Sequence, residues 1–154
     1  MSEAPDILHE LLCREEGTKL QVYDDRNAHV LLSGDTLIGN PTIGTGRELA
    51  KHGISQAEND YLLGNDIMHV LEQGQAAFVW FGALDPVRQA VIGAMLFQLG
   101  LRGVLGFTHL LDAMAAQDYK AAAAAGLASK WNQEAPERAQ REMLALQTGV
   151  IVRR

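Results

Sequence analysis

A single cysteine, Cys13, occurs in 154 residues. One thiol excludes an intramolecular disulfide, and on the inner face of an apparent first helix it reads as a small buried hydrophobe rather than a nucleophile. The opening segment carries Glu3, Asp6, Glu10 and Glu15 without a cationic stretch or a long apolar run, so it does not read as a secretory signal. No run elsewhere approaches the ~20 apolar residues of a membrane-spanning helix. Stable membrane insertion is therefore not expected, and Arg153-Arg154 offers lipid only a marginal attraction. Basic residues are also scarce. Thirteen Lys and Arg against 19 Asp and Glu give a net charge of −6, with no basic stripe to track a phosphate backbone, so nucleic acid is not an expected partner. The five histidines (9, 29, 52, 69 and 109) show no metal-ligand spacing, and no metal or other cofactor is expected. Gly44-Thr45-Gly46 lacks the third glycine and the strand-to-helix setting of a dinucleotide loop, and no Walker pattern occurs.

What is present describes a folded chain. With 47% hydrophobic and 21% charged residues it can bury a core without a metal or disulfide. Asp6 to Glu16 has Ile7, Leu8, Leu11 and Leu12 at helical spacing, between Pro5 and a stop at Gly17. From Lys19 to Arg47 short apolar runs (Leu20–Val22, Val30–Leu32, Leu37-Ile38, Ile43) alternate with turn residues, which predicts a small antiparallel sheet. Ser55-Gln56-Ala57-Glu58 is a capping-box pattern opening a long helix. Asp85-Pro86 opens another over Val87 to Leu99, broken by Gly100 and Gly103. Thr108 is expected to cap the next, followed by an alanine-rich helix over Tyr119 to Ala128 and a last one from Pro136 to about Gln147. The fold class is α+β.

Three residues suggest chemistry. Glu16 closes the first helix at its negative end, where the dipole disfavours a carboxylate. Asp25 follows in a turn, and Thr42 stands on a glycine-flanked strand. Glycoside cleavage by inversion needs an acid to protonate the leaving oxygen and a carboxylate to activate water on the opposite sugar face. Thr42, short and rigid, would hold that water. Asp24 and Asp35 compete with Asp25 for the second role. Alternation puts Asp24 and Asp25 on opposite faces, and Ser33-Gly34-Asp35 looks like turn chemistry.

The text around these residues is more specific. Arg14-Glu15-Glu16-Gly17-Thr18-Lys19-Leu20, Val22-Tyr23-Asp24-Asp25 and Pro41-Thr42-Ile43-Gly44-Thr45-Gly46-Arg47 resemble the catalytic lobe of phage-type lysozymes (endolysins), the T-even phage lysozyme family. Leu84–Ala90, Phe97–Gly100, Gly103–Thr108, Ala128–Gln133 and Pro136–Ala139 are similar to segments of its helical lobe, in the same order, so the resemblance covers essentially the whole chain. It implies one domain over 1–154: a sheet lobe at about 17–54, a connecting helix at about 55–73 and a helical lobe at about 74–154. The first helix, 5–16, would pack on that helical lobe, with a groove between the lobes.

The resemblance also implies an activity. It points to a muramidase cutting bacterial peptidoglycan between N-acetylmuramic acid and N-acetylglucosamine, with Glu16, Asp25 and Thr42 in the three roles above. Phe97 and Gln98 would line the substrate groove, and Arg138 would reach the acid region. Two further groove positions appear as Gly126 and Leu110, and Trp131 reads as core rather than a sugar platform. Such a protein would act as a monomer, stay in the host cytoplasm, and leave through a separate pore-forming holin. Two departures stand out. Sixteen residues, Arg26 to Pro41, separate Asp25 from Thr42, expected as a longer hairpin. Arg47 stands where the family has a histidine, and is expected to pair with Asp66. A rival reading, a wall-binding or virion structural protein with a disabled site, draws on the acidic segment 1–66, which holds 12 acids and 5 bases.

Overall fold

Pro5 and Gly17 bracket the first apolar-periodic stretch, and the computed structural model, which describes residues 4–151, has a helix there, α1 (Ala4–Glu16). Residues 1–3 and 152–154, Arg153 and Arg154 among them, lie outside the described residues. After α1 come β1 (Lys19–Asp24), β2 (Pro41–Gly44), β3 (Arg47–Glu48), α2 (Leu49–His52) and α3 (Gln56–Ala77). A 3-10 turn (Phe81–Ala83) precedes α4 (Pro86–Leu105), α5 (Thr108–Ala115), α6 (Tyr119–Leu127), α7 (Lys130–Glu134) and α8 (Pro136–Thr148). The class is α+β: a helix and a three-stranded antiparallel sheet, then helices. The chain divides into two compact units, one ending at Asn59 and the other starting at Asp60.

In the first unit the strands lie in the order β1-β2-β3. Lys19 pairs with Gly44 and Tyr23 with Thr42, so β1 uses four residues where β2 uses two and must bulge between them. The bulged stretch finds other partners. The N–H of Leu31 donates to the Val22 carbonyl at 2.9 Å, and that of Asp24 to the His29 carbonyl at 2.9 Å. Val30–Leu32 therefore meets β1 only through a bridge from Val30 to Tyr23, not as a strand, and Leu37-Ile38 forms none. The expected longer hairpin is instead a loop. The β2–β3 turn needs both of its glycines, since Gly44 and Gly46 take φ of 65° and 71°, a region costly to other residues. The stripe of α1 (Ile7, Leu8, Leu11, Leu12) is present, but no α1 residue is buried, and Cys13 is half-buried rather than buried.

The capping box forms as its residues suggest. Ser55 donates to Glu58 Oε2 through its N–H at 2.7 Å and its hydroxyl at 2.8 Å, and the Glu58 N–H returns to Ser55 Oγ at 3.2 Å. Asp85 caps α4, accepting from the N–H groups of Val87 and Arg88 at 3.1 Å each. Only Gly100 leaves helical geometry inside α4; Gly103 stays within it, its carbonyl taking the Gly106 N–H at 3.1 Å. Thr108 opens α5 as its first residue, Phe107 holding the cap position. In the second unit Ile92, Met95, Val104, Leu110, Met114, Met143 and Leu146 are fully buried, each stabilising the fold by about 1.5–3 kcal/mol relative to exposure. Ala122 and Ala123 are buried too, because small residues let α6 approach α5 and α8 closely. Among the described residues no single helix is long and apolar enough to cross a membrane.

Candidate active site

Glu16 is the last residue of α1, and the Gly17 N–H closes that helix on the Cys13 carbonyl at 3.1 Å. The Glu16 side chain is exposed and lies beside the β2–β3 turn. A Cβ on Gly46 would come within 3.2 Å of its Oε2. Asp25 sits just beyond the other end of β1. The β1–β2 ladder thus has one candidate carboxylate at each end.

Asp24 and Asp25 differ in burial and partners, but they are not on opposite faces as alternation suggested: Asp25 lies beyond the end of β1, and both carboxylates converge beside Gly39. Asp24 is buried, at 1% exposure, and its carboxylate accepts three backbone N–H groups: Ile38 at 2.7 Å, Gly39 at 3.0 Å and Arg26 at 2.9 Å. Burial pushes its pKa up, but those donors outweigh burial and hold it below the usual carboxylate range. Asp24 is thereby a structural anchor that organises the loop between β1 and β2. Asp35 likewise serves its turn, accepting from the Leu32 N–H at 2.8 Å and meeting His29 Nε2 at 3.1 Å.

Asp25 is exposed, and both of its oxygens are held by one residue. Asn40 donates its backbone N–H to Oδ1 at 2.7 Å and its side-chain Nδ2 to Oδ2 at 3.0 Å. These two bonds hold the Asp25 pKa below its ordinary value, although burial and the neighbouring Asp24 push the other way. Thr42 is buried at 3% exposure, paired with Tyr23 on one side and Glu48 on the other, and its hydroxyl donates to the Asn40 carbonyl at 3.2 Å. Asp25 and Thr42 are therefore brought together on Asn40. Gly39 makes this possible: a Cβ there would collide with both Asp carboxylates and lie 2.9 Å from the Arg26 Cβ.

Arg47 does not take the expected partner. It forks onto Glu58, with Nη1 at 3.0 Å from Oε1 and Nη2 at 3.2 Å from Oε2, and its Nε donates to the Gly53 carbonyl at 2.8 Å. Glu58 is pinned at the start of α3 by the capping box, whereas Asp66 lies two turns further along that helix. The carboxylate fixed by the capping box is the one Arg47 takes. Hydrogen bonds from Ser55, then the Arg47 charge, hold Glu58 below its ordinary pKa.

The remaining candidates lie in the second unit. Phe97 is 55% exposed and, with Arg138, Leu63, Ile67 and Gln89, lines an apolar cavity of about 520 Å³. Gln98 accepts the Trp131 indole N–H at 3.2 Å. Trp131 is core, at 4% exposure and edge-on to Phe107, while also bordering a cavity of about 500 Å³ with Thr108, His109 and Lys130. Arg138 pairs within α8 with Glu142 at 3.4 Å, and burial raises the Glu142 pKa despite the nearby arginines. Leu110 is buried, and a Cβ on Gly126 would strike Met143. Among the described residues no group of three or more His, Cys, Asp or Glu side chains converges as metal ligands would.

No family model matches the chain. Curated relatives do. The chain is 25% identical to "Probable T4-type lysozyme 1" of Dictyostelium discoideum and 24% identical to "Probable T4-type lysozyme 2" of the same organism. Each match takes in 94% of this chain and 95% of the relative. The chain is a distant homologue of the T4-type lysozymes. This lysozyme homologue is also 29% identical to the pre-baseplate central spike protein Gp5 of Enterobacteria phage T4, over 91% of its own length but only 27% of that protein's. The relationship runs through both units, and the α+β order agrees with it. What sequence reasoning missed in this lysozyme homologue is Asn40. Within Gly39-Asn40-Pro41 it reads as turn chemistry, and only its bonds to a residue 15 positions earlier reveal otherwise.

Proposed function

We propose that this lysozyme homologue is a muramidase, hydrolysing the β-1,4 bond between N-acetylmuramic acid and N-acetylglucosamine in bacterial peptidoglycan. The observation that carries the proposal is the pairing of Asp25 and Thr42 on Asn40. Each Asp25 oxygen gives one lone pair to Asn40 and keeps another. The Thr42 hydroxyl spends its proton on Asn40 and meets water only as an acceptor. A water donating one hydrogen to Asp25 and the other to Thr42 has its own lone pair free for the anomeric carbon. As that oxygen bonds to carbon, Asp25 takes its proton. The C–O bond to the leaving sugar breaks, and Glu16 protonates the departing oxygen. Attack from the face opposite the leaving group inverts the anomeric centre. In this proposal the protein works on the host wall as a monomer, waits in the host cytoplasm, and depends on a holin for release.

A second reading is favoured by one observation, the match to a spike protein of which this chain spans about a quarter (27%). Under it the chain is a particle component that keeps the fold without catalysis. Turbidity separates the two. Purified protein added to outer-membrane-permeabilised cells is expected to clear the suspension, and failure to clear favours the second reading.

A further inference from the structure

We infer that Asn40 is a positioning residue for the reaction, one side chain and one peptide unit that orient both groups receiving the hydrogens of the attacking water. The inference rests on the muramidase reading above. Its geometry is a two-way exchange: the Asp25 N–H donates to the Asn40 carbonyl at 3.1 Å, and the Asn40 N–H returns to Asp25 Oδ1 at 2.7 Å. The amide Nδ2 then takes Oδ2 at 3.0 Å, so the carboxylate can neither spin about its bond to Cβ nor tilt without breaking a bond. The same carbonyl holds the Thr42 hydroxyl at 3.2 Å. An asparagine serving only a turn bonds backbone about two residues away. Asn27 does so here, accepting the His29 N–H at 2.9 Å. The Asn40 amide instead crosses 15 residues of sequence to a candidate catalytic group.

Two neighbours aim it. Pro41 restricts the residue before it to extended geometry, which fixes where the Asn40 side chain leaves the backbone. Gly39 lets the chain pass against both carboxylates. Asn40 is itself exposed, and the register is carried by Tyr23–Thr42 and Asp24–Pro41, so its amide is not what holds the strands together. Fixing both acceptors before substrate arrives is worth more than the bonds themselves, because a displaced catalytic group costs rate steeply.

The test compares Asn40→Ala, which removes only the amide, with Asn40→Asp, which keeps its shape but replaces a donor by a charge. Carboxyl-labelled aspartate is titrated by carbon NMR, and kcat, KM and the pH dependence of kcat are measured on soluble wall fragments. The Asp25 midpoint is expected to move up in both variants, further in Asn40→Asp, with the acid limb of kcat following it. In Asn40→Ala kcat should fall roughly 10- to 100-fold with KM little changed. An Asp25 midpoint that stays at its wild-type position in Asn40→Ala overturns the inference. So does a moved midpoint with kcat unchanged. NMR reads the carboxylate without turnover, so a wild-type protein that cleaves nothing sinks the muramidase reading separately, while an active one with an unmoved midpoint sinks only the role of Asn40.

Discussion

Glu16→Gln is expected to abolish clearing of permeabilised cells while leaving the protein folded. The amide is isosteric with the acid, so the contact with Gly46 survives. A neutral glutamine at the C-terminal end of α1 meets no opposition from the helix dipole. What disappears is the only group in the proposed mechanism that can hand a proton to the leaving sugar oxygen. General acids contribute roughly 10²- to 10⁴-fold to such reactions, so the rate should drop by that factor. Far-ultraviolet circular dichroism and the unfolding midpoint should match wild type. A Gln variant that clears at the wild-type rate means that the acid is misassigned.

Arg88→Ala should produce the largest loss of stability. The Arg88 side chain is 14% exposed, and each of its three guanidinium nitrogens makes a hydrogen bond. Nε donates to the Leu146 carbonyl at 2.8 Å, Nη2 to the Gln147 carbonyl at 2.9 Å, and Nη1 to Asp85 Oδ2 at 2.6 Å. Its flat face lies 3.8 Å from the centre of the Tyr119 ring. One residue thus closes the C-terminal end of α8, where the last carbonyls have no helical donors, and ties it to the start of α4. Truncation leaves those carbonyls and the Asp85 carboxylate without their partner, at a cost of about 3 kcal/mol. For a unit of this size that is a drop in Tm on the order of 10–20 °C. Arg88→Lys should recover only part of it, because an ammonium cannot fork or stack as guanidinium does. A loss below about 1 kcal/mol would mean that solvent serves those carbonyls as well as Arg88 does.

How much of this was legible beforehand follows from how local each cause is. The starts of α3, α4 and α8 were readable because Ser55 with Glu58, Asp85 with Pro86, and Pro136 each act within a few residues. The Glu16–Gly17 boundary was readable for the same reason. The loop between β1 and β2 was not. Leu37-Ile38 has the composition of a strand, yet the Ile38 N–H is taken by a carboxylate 14 residues earlier. No periodicity reports such a bond. Arg47 failed similarly: matching the family position suggested Asp66, but Arg47 takes Glu58, which the capping box holds in place. Gly100 and Gly103 look alike as helix breakers, and only Gly100 adopts a positive φ, of 68°. Of the proposed site, Glu16, Asp25 and Thr42 were singled out by residue type and position together with the resemblance. Asn40, which links two of them, was hidden because a turn asparagine and a clamp asparagine are spelled the same way.

Digestion of purified peptidoglycan with the pure protein, with the new ends identified by mass spectrometry and the nascent anomer by NMR, tests the central claim most directly. The expected result is N-acetylmuramic acid at every new reducing end, formed first as the α-anomer. An intact glycan, or new ends carrying N-acetylglucosamine or a freed peptide, would contradict it.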